Sequence, residues 1–214
     1  MRYWKSREIV GSPRVGIGVA TYLSSASDRR AAALRCLVES FRAQTWQDWR
    51  LYIVHDGPVP DGQEMQDYLA ALRQDPRVSF VATDERKQKF GHPWRQKALN
   101  HLCATSAWVM LTNDDNYYAP VFLEWLLSVG TRKKPACDLV YCDMVHSHRS
   151  WKYMPVQPRY RHMDLGGFIV RASIAKQVAF DKFEFNGDGD WITRLMQKCG
   201  NRAQKVPAVL FMHN

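Results

Sequence analysis

Apolar runs of strand length alternate with stretches of helical period along most of this chain. Val15 to Tyr22, VGIGVATY, is short, β-rich and apolar, as expected of a buried strand. Trp49 to His55, Val78 to Ala82, Trp108 to Leu111 and Asp138 to Val145 follow the same pattern. Leu165 to Val170 leads into a further strand, and Ala208 to Met212 forms the last. After the first strand, Ala33, Leu34, Leu37, Val38 and Phe41 recur at helical spacing and make one apolar face. Ser27 or Asp28 would cap that helix. Met65, Tyr68, Leu69 and Leu72 mark a second helix. A third runs from about Pro93 to Ala104, with Pro favourable at the first helical position. Pro120 opens a fourth, striped by Val121, Phe122, Trp125 and Leu126. One more begins near Ala172, and another spans Trp191 to Cys199 and ends at Gly200.

This alternation predicts an α/β fold with a mainly parallel central sheet covered on both faces. No repeat, low-complexity tract or linker interrupts it. Residues 15–214 are therefore expected to form one domain behind a basic arm, residues 1–14. One stretch breaks the pattern. His146 to His162, HSHRSWKYMPVQPRYRH, mixes basic residues, aromatics and prolines without an apolar period and predicts a long loop. The Gly16-x-Gly18 pair lies inside the first strand, not after it, which argues against a nicotinamide or flavin site.

Composition adds bounds. With 46% hydrophobic and 24% charged residues, the chain is an ordinary globular one. No run approaches the ~20 apolar residues of a membrane span, so no transmembrane segment is expected. The N-terminal MRYWKSREIV lacks the apolar stretch of a secretory signal. Five cysteines form no tidy framework and suit reduced thiols, which points to a cytoplasmic protein. The net charge of +9 favours polyanionic partners: nucleic acid, an anionic membrane surface or a nucleoside-diphosphate substrate.

The candidate chemistry centres on Leu111 to Tyr118, LTNDDNYY, where an apolar strand ends in Asp114 and Asp115. Acids at the carboxyl end of a strand lie where open α/β sheets bind ligands. One or two carboxylates together with substrate phosphates are a usual seat for a divalent cation. Thr21, Tyr22, Asp56, Asp84, Gly166, Gly167 and Asp188 to Asp190 fall on the same expected edge. A rim of acids on a basic chain suggests a metal site. Cys137, Cys142, His146 and His148 have zinc-ligand types, but the two cysteines bracket a strand and alternation points them apart. Trp191 could stack on a sugar or start the core face of its helix, with the core preferred. The loop at 146–162 suits single-stranded nucleic acid, or a lid over a nucleotide-sugar or its acceptor.

These stretches resemble the family-two inverting glycosyltransferases of the GT-A fold. VGIGVATY resembles that family's opening strand. Leu37 to Thr45, LVESFRAQT, is similar to the segment that follows in its first helix. DWRLYIVHD with Gly57 resembles the strand that ends in a nucleotide-binding turn. Gly91 to Leu99 resembles the segment before the metal strand, and LTNDDNYYAP the DXD region. Asp164-Leu165-Gly166-Gly167 and GDGDWITRL are similar to the acceptor-side and catalytic-base segments. The resemblance implies transfer of a sugar from a nucleoside-diphosphate sugar, a UDP-sugar foremost, to a glycan or other hydroxyl acceptor.

It also implies roles. Thr21, Tyr22 and Asp56 would contact base and ribose, and Arg95 would face the diphosphate or brace its loop. Gly166 and Gly167 would belong to the nucleotide-sugar and acceptor site. Asp115 would bind Mn²⁺ or Mg²⁺, with Asp114 beside it and His213 as a further ligand. Asp188 would be the base that deprotonates the acceptor, with Asp190 the alternative. The sequence departs from the family pattern at His55, Thr112 and Gly187, where acids are usual. Two other functions compete. A nucleic-acid-binding module using 146–162 leaves the rim acids unexplained, so no stable nucleic-acid partner is expected. A sugar nucleotidyltransferase would need a glycine-rich phosphate loop after the first strand, and none is present.

Overall fold

β1 (Val15–Thr21) is buried along most of its length and lies between two parallel neighbours, β2 (Trp49–His55) and β4 (Trp108–Thr112). The computed structural model describes residues 13–132, 134–159 and 162–214, so most of the arm expected at 1–14 lies outside the described residues. β3 (Val78–Ala82) adds in parallel to β2, giving the order β3-β2-β1-β4. The connections are helical: α1 (Arg29–Arg42), α2 (Gln63–Arg73) and α3 (His92–Thr105). Asp28 caps α1, its Oδ1 accepting the Arg30 amide at 3.0 Å. α3 packs flush on β1. A Cβ at Gly16 would come within 2.9 Å of Leu102, and one at Gly18 within 3.1 Å of Ala98. The glycine pair inside the strand therefore serves close packing.

The second half is where the sheet departs from a mainly parallel one. β8 (Phe168–Arg171) is inserted antiparallel between β4 and β6 (Leu139–His146). The chain returns from β6 through 147–167 without an α-helical crossover, and a strand that returns directly pairs antiparallel. β9 (Ala203–His213) runs parallel to β6, while β5 (Tyr117–Tyr118) and β7 (Lys152–Met154) add antiparallel pairs. Among the described residues the result is one mixed nine-stranded sheet.

Several elements differ from expectation. β9 is longer than the run 208–212 suggested. The segment 146–162 is not a plain loop, since β7 folds back on β6. α4 (Phe122–Gly130) follows the expected stripe, whereas α5 (Ala172–Ala175) is a single turn. α6 (Gly187–Cys199) starts four residues before Trp191, which places Asp188 and Asp190 in its first turn. Acids there complement the helix dipole. Trp191 itself is fully buried, and its indole N–H donates to Val178 O at 2.9 Å, so it is a core residue. The cysteines are all free, and Cys137 and Cys142 are buried. Among the described residues no group of three or more His, Cys, Asp or Glu is placed to hold a metal, and the zinc set does not form. No helix among them is long and apolar enough to cross a membrane.

Candidate active site

The strand order turns back at β1. The chain leaves β1 toward β2 on one side and re-enters as β4 on the other, which opens a crevice beyond their carboxyl ends. A cavity of ≈ 690 Å³ lies there, with Thr21, Tyr22, Asp56, Arg95, Asp114 and Asp115 in its wall. Six of the residues expected from sequence are thus brought to one place.

Each is tied down. The Thr21 hydroxyl donates to Asp114 Oδ2 at 2.6 Å, and Arg30 Nη1 lies 3.8 Å from the same oxygen. Asp56 is buried and accepts three hydrogen bonds. Its Oδ1 takes the Lys87 amide at 2.7 Å and the Trp94 indole N–H at 2.6 Å, and its Oδ2 takes the Gln88 amide at 2.8 Å. Tyr22 stacks on His55 at 5.5 Å and carries the Arg86 guanidinium 3.5 Å from its ring centre. His55, which stands where an acid was expected, is fully buried. Its Nε2 accepts the Leu23 amide at 2.9 Å, so Nδ1 holds the proton and donates to Gly57 O at 2.8 Å. It ties the ends of β1 and β2 together.

Arg95 braces the wall. Nη1 donates to Phe90 O at 2.6 Å and to His92 Nδ1 at 2.8 Å, and Nη2 donates to Asn113 Oδ1 at 2.6 Å. Because His92 Nδ1 accepts, its Nε2–H donates to Glu184 O at 2.9 Å. Burial, then the Arg95 charge, pushes His92 down to about 4, so it is neutral near pH 7. His92 therefore links the cavity wall to the segment before α6. Between Asp56 and His92 the backbone is strained. Gln88, Lys89 and Phe90 have φ of 60°, 45° and 56°, and Gly91 has 74°. Non-glycine residues in the left-handed region cost roughly 1–2 kcal/mol each, and such strain gathers at ligand clamps.

The second cluster surrounds Asp115. Burial, then Asp114 beside it, raises the Asp115 carboxyl, and His213 opposes this. His213 Nε2 lies 3.3 Å from Asp164 Oδ2, and its ring stacks on His146 at 4.2 Å. For His213, burial disfavours the charged form, but the Asp164 hydrogen bond and charge outweigh it and raise the imidazole above its usual value. His213 Nδ1 is buried with no hydrogen-bond partner. The Asp115 carboxyl, raised by burial and by its neighbour Asp114, and an orphaned imidazole nitrogen fit a divalent cation shared with a diphosphate. They do not make a cation site by themselves.

Asp188 and Asp190 have different surroundings. Asp190 is paired with Lys182 at 2.6 Å and with Arg194 at 2.7 Å, which, against the effect of burial, hold its carboxyl below the usual range. Asp188 Oδ1 accepts the Gly189 amide at 2.7 Å, and its charge acts on Arg95 and His92. A Cβ at Gly187 would lie 2.1 Å from Lys182 O and 3.0 Å from His92 Cδ2, so no larger residue fits that spot without backbone movement. Gly166 and Gly167 are buried but do not border the cavity. A Cβ at Gly166 would meet Tyr118 Oη at 2.5 Å and Phe211 at 2.7 Å, so the position is set by packing.

The structure adds Arg30 and Arg86, which sequence reasoning passed over and which reach the cavity together with Asn113. Asp164 and His146, noted in the sequence for other reasons, partner His213. Asp164 had a signal, as the acid before Gly166-Gly167. The surface arginines had none.

A crevice at a strand-order switch, walled by Asp56, Asp114 and Asp115, lies where open α/β sheets bind ligands, and the architecture is that of the GT-A fold. The sequence matches the family model described as Glycosyl transferase family 2 over residues 19–186, and the chain belongs to that family. Solved structures share the fold. TarS of S. aureus matches with a TM-score of 0.69 at 13% identity, covering 94% of this chain and 36% of that one. S. aureus TarS 1-349 in complex with UDP gives 0.71 at 14% identity, covering 93% and 60%. The mannosyltransferase PcManGT from Pyrobaculum calidifontis, in complex with GDP-Man and Mn²⁺, gives 0.65 at 17%, covering 96% and 58%. This chain thus spans less than two thirds of each. No curated protein matches it in sequence.

Proposed function

We propose that this chain transfers a sugar from a nucleoside-diphosphate sugar to an acceptor hydroxyl, with inversion at the anomeric carbon. The observation that carries the proposal is the cavity at the β1–β4 switch, where Thr21, Tyr22, Asp56, Arg95, Asp114 and Asp115 converge. Family membership supports sugar transfer as the reaction. Fold relatives in complex with UDP and with GDP-Man support a nucleotide-sugar donor, and a UDP-sugar is the first candidate.

Tyr22 and Arg86 offer a flat, cationic surface for a base, and Arg95 holds the wall that faces the phosphates. Asp56 keeps its loop in place rather than reaching outward with all its acceptor capacity. Asp115 and His213 would hold Mn²⁺ or Mg²⁺ jointly with the diphosphate, and the relative with bound Mn²⁺ is in keeping with this. Such a cation, when bound, offsets negative charge on the leaving diphosphate.

Asp188 is the proposed base. It removes the acceptor proton as that oxygen attacks the anomeric carbon and the bond to the diphosphate breaks. Asp190 is engaged by Lys182 and Arg194, and a carboxylate already paired with two cations is a weak proton acceptor. Domain extent follows the same reading: residues 15–214 form the catalytic unit. The test is a panel of nucleotide-sugars assayed for hydrolysis and transfer. Asp188→Asn should retain nucleotide binding and lose turnover by roughly 10²–10⁴-fold. Asp190→Asn should keep most turnover and lower the melting temperature. The opposite pattern would move the base to Asp190.

A further inference from the structure

Two exposed phenylalanines bridge the two halves of this site. Phe90 is 58% exposed and Phe185 73%, and their rings meet edge to face at 5.6 Å between centres. Phe90 borders the donor cavity. Phe185 precedes Asp188 by only three positions, at the mouth of α6. Water-facing rings of this size are unfavourable unless something covers them. Phe90 is held out by a backbone in the left-handed region, at φ 56° within the strained run from Gln88 to Gly91. The pair rests on a fixed base, because His92 contacts Phe90 at 5.9 Å and holds Glu184 O at 2.9 Å.

We propose that Phe90 and Phe185 form the acceptor subsite and that its occupant is a saccharide ring. This rests on the glycosyltransferase reading and names the class of acceptor. A pyranose presents a face of C–H groups, apolar and slightly positive, which packs on the negative face of an aromatic ring. Its hydroxyls stay at the edge, where one can meet Asp188. Position argues for acceptor over donor, since only Phe90 touches the cavity wall and Phe185 stands on the side of the proposed base. A nucleobase would instead find its flat cationic partner at Tyr22 and Arg86.

The probes are an array of immobilised mono- and oligosaccharides and, separately, thermal shift with UDP and GDP plus Mn²⁺. The wild-type chain should retain a subset of the glycans. Phe185→Ala and Phe90→Ala should each lower that retention at least tenfold, while Phe185→Trp keeps it. The Phe185→Ala nucleotide shift should match wild type. A wild-type chain that retains no glycan overturns the proposal, as does unchanged retention in both alanine variants. Equal loss of glycan and nucleotide in Phe185→Ala would make the pair a donor element and overturn it too. Concentration-dependent dimers that vanish in the variants would mark a contact between copies instead. A wild-type chain that holds glycans but no nucleoside diphosphate would sink the transferase reading and leave this one standing.

Discussion

Replacing Asp56 by Ala should loosen the donor cavity and destabilise the whole chain. The side chain accepts the Lys87 and Gln88 amides and the Trp94 indole N–H. Hydrogen bonds to a charged group contribute about 1.5–3 kcal/mol each, and a buried donor left unpaired costs about 1–3 kcal/mol. The two amides border the cavity and regain water, so they count toward the low end. The Trp94 donor is buried and does not. Together the loss comes to about 4.5–6 kcal/mol. At roughly 2–4 °C per kcal/mol for a chain of this size, the melting temperature should fall by about 9–24 °C in thermal unfolding followed by circular dichroism. Nucleotide affinity, from titration with UDP or GDP, should fall as well because the strained run from Gln88 to Gly91 loses its anchor. Trp94→Phe removes one donor, so the double variant should lose less than the two single losses added. An Asp56→Ala chain that keeps its melting temperature but loses nucleotide binding would refute this. Asp56 would then be a direct ligand contact.

Other outcomes follow from the same structure. Asp115→Asn should abolish a Mn²⁺- or Mg²⁺-dependent nucleotide shift, and a chelator should do the same to wild type. A shift that persists in both would remove the cation from the site. Hydrogen bonds from Arg77 lower Asp75 to about 2, with the Arg77 and Arg42 charges in support. Its stabilising contribution is thus complete above the unfolded value near 3.8 and is lost as pH falls toward 2. Asp75→Asn should flatten the melting temperature between pH 4 and 2 relative to wild type, and parallel curves would contradict the pairing.

The first half of the fold was legible because each strand there is a continuous apolar run followed by a helix with one apolar face. β1, α1, β2 and β4 could be placed from period alone. The second half was not, because antiparallel insertion of β8 depends on how the chain returns from β6, and residue period carries no strand direction. The start of α6 was hidden by Gly187 and Gly189, poor helix formers in a first turn that its acids and packing support. Asp114, Asp115 and Asp56 were visible because each follows an apolar strand directly. Arg30 and Arg86 were not, since one surface arginine looks like another. The stacking of His146 on His213 comes from the β6–β9 register, which pairs those two residues across 67 positions of chain.

Gly187 has a wider consequence. Any side chain there would strike Lys182 O and crowd His92, so the whole front of α6 would have to back away. The close approach of the start of α6 to His92, which braces the donor wall, therefore depends on Gly187 having no side chain. A graded series, Gly187→Ala, Ser and Val, would act as a dial on the width of the catalytic gap, with no functional group of the site altered. Evolution, or an engineer, could tune acceptor size from that one codon.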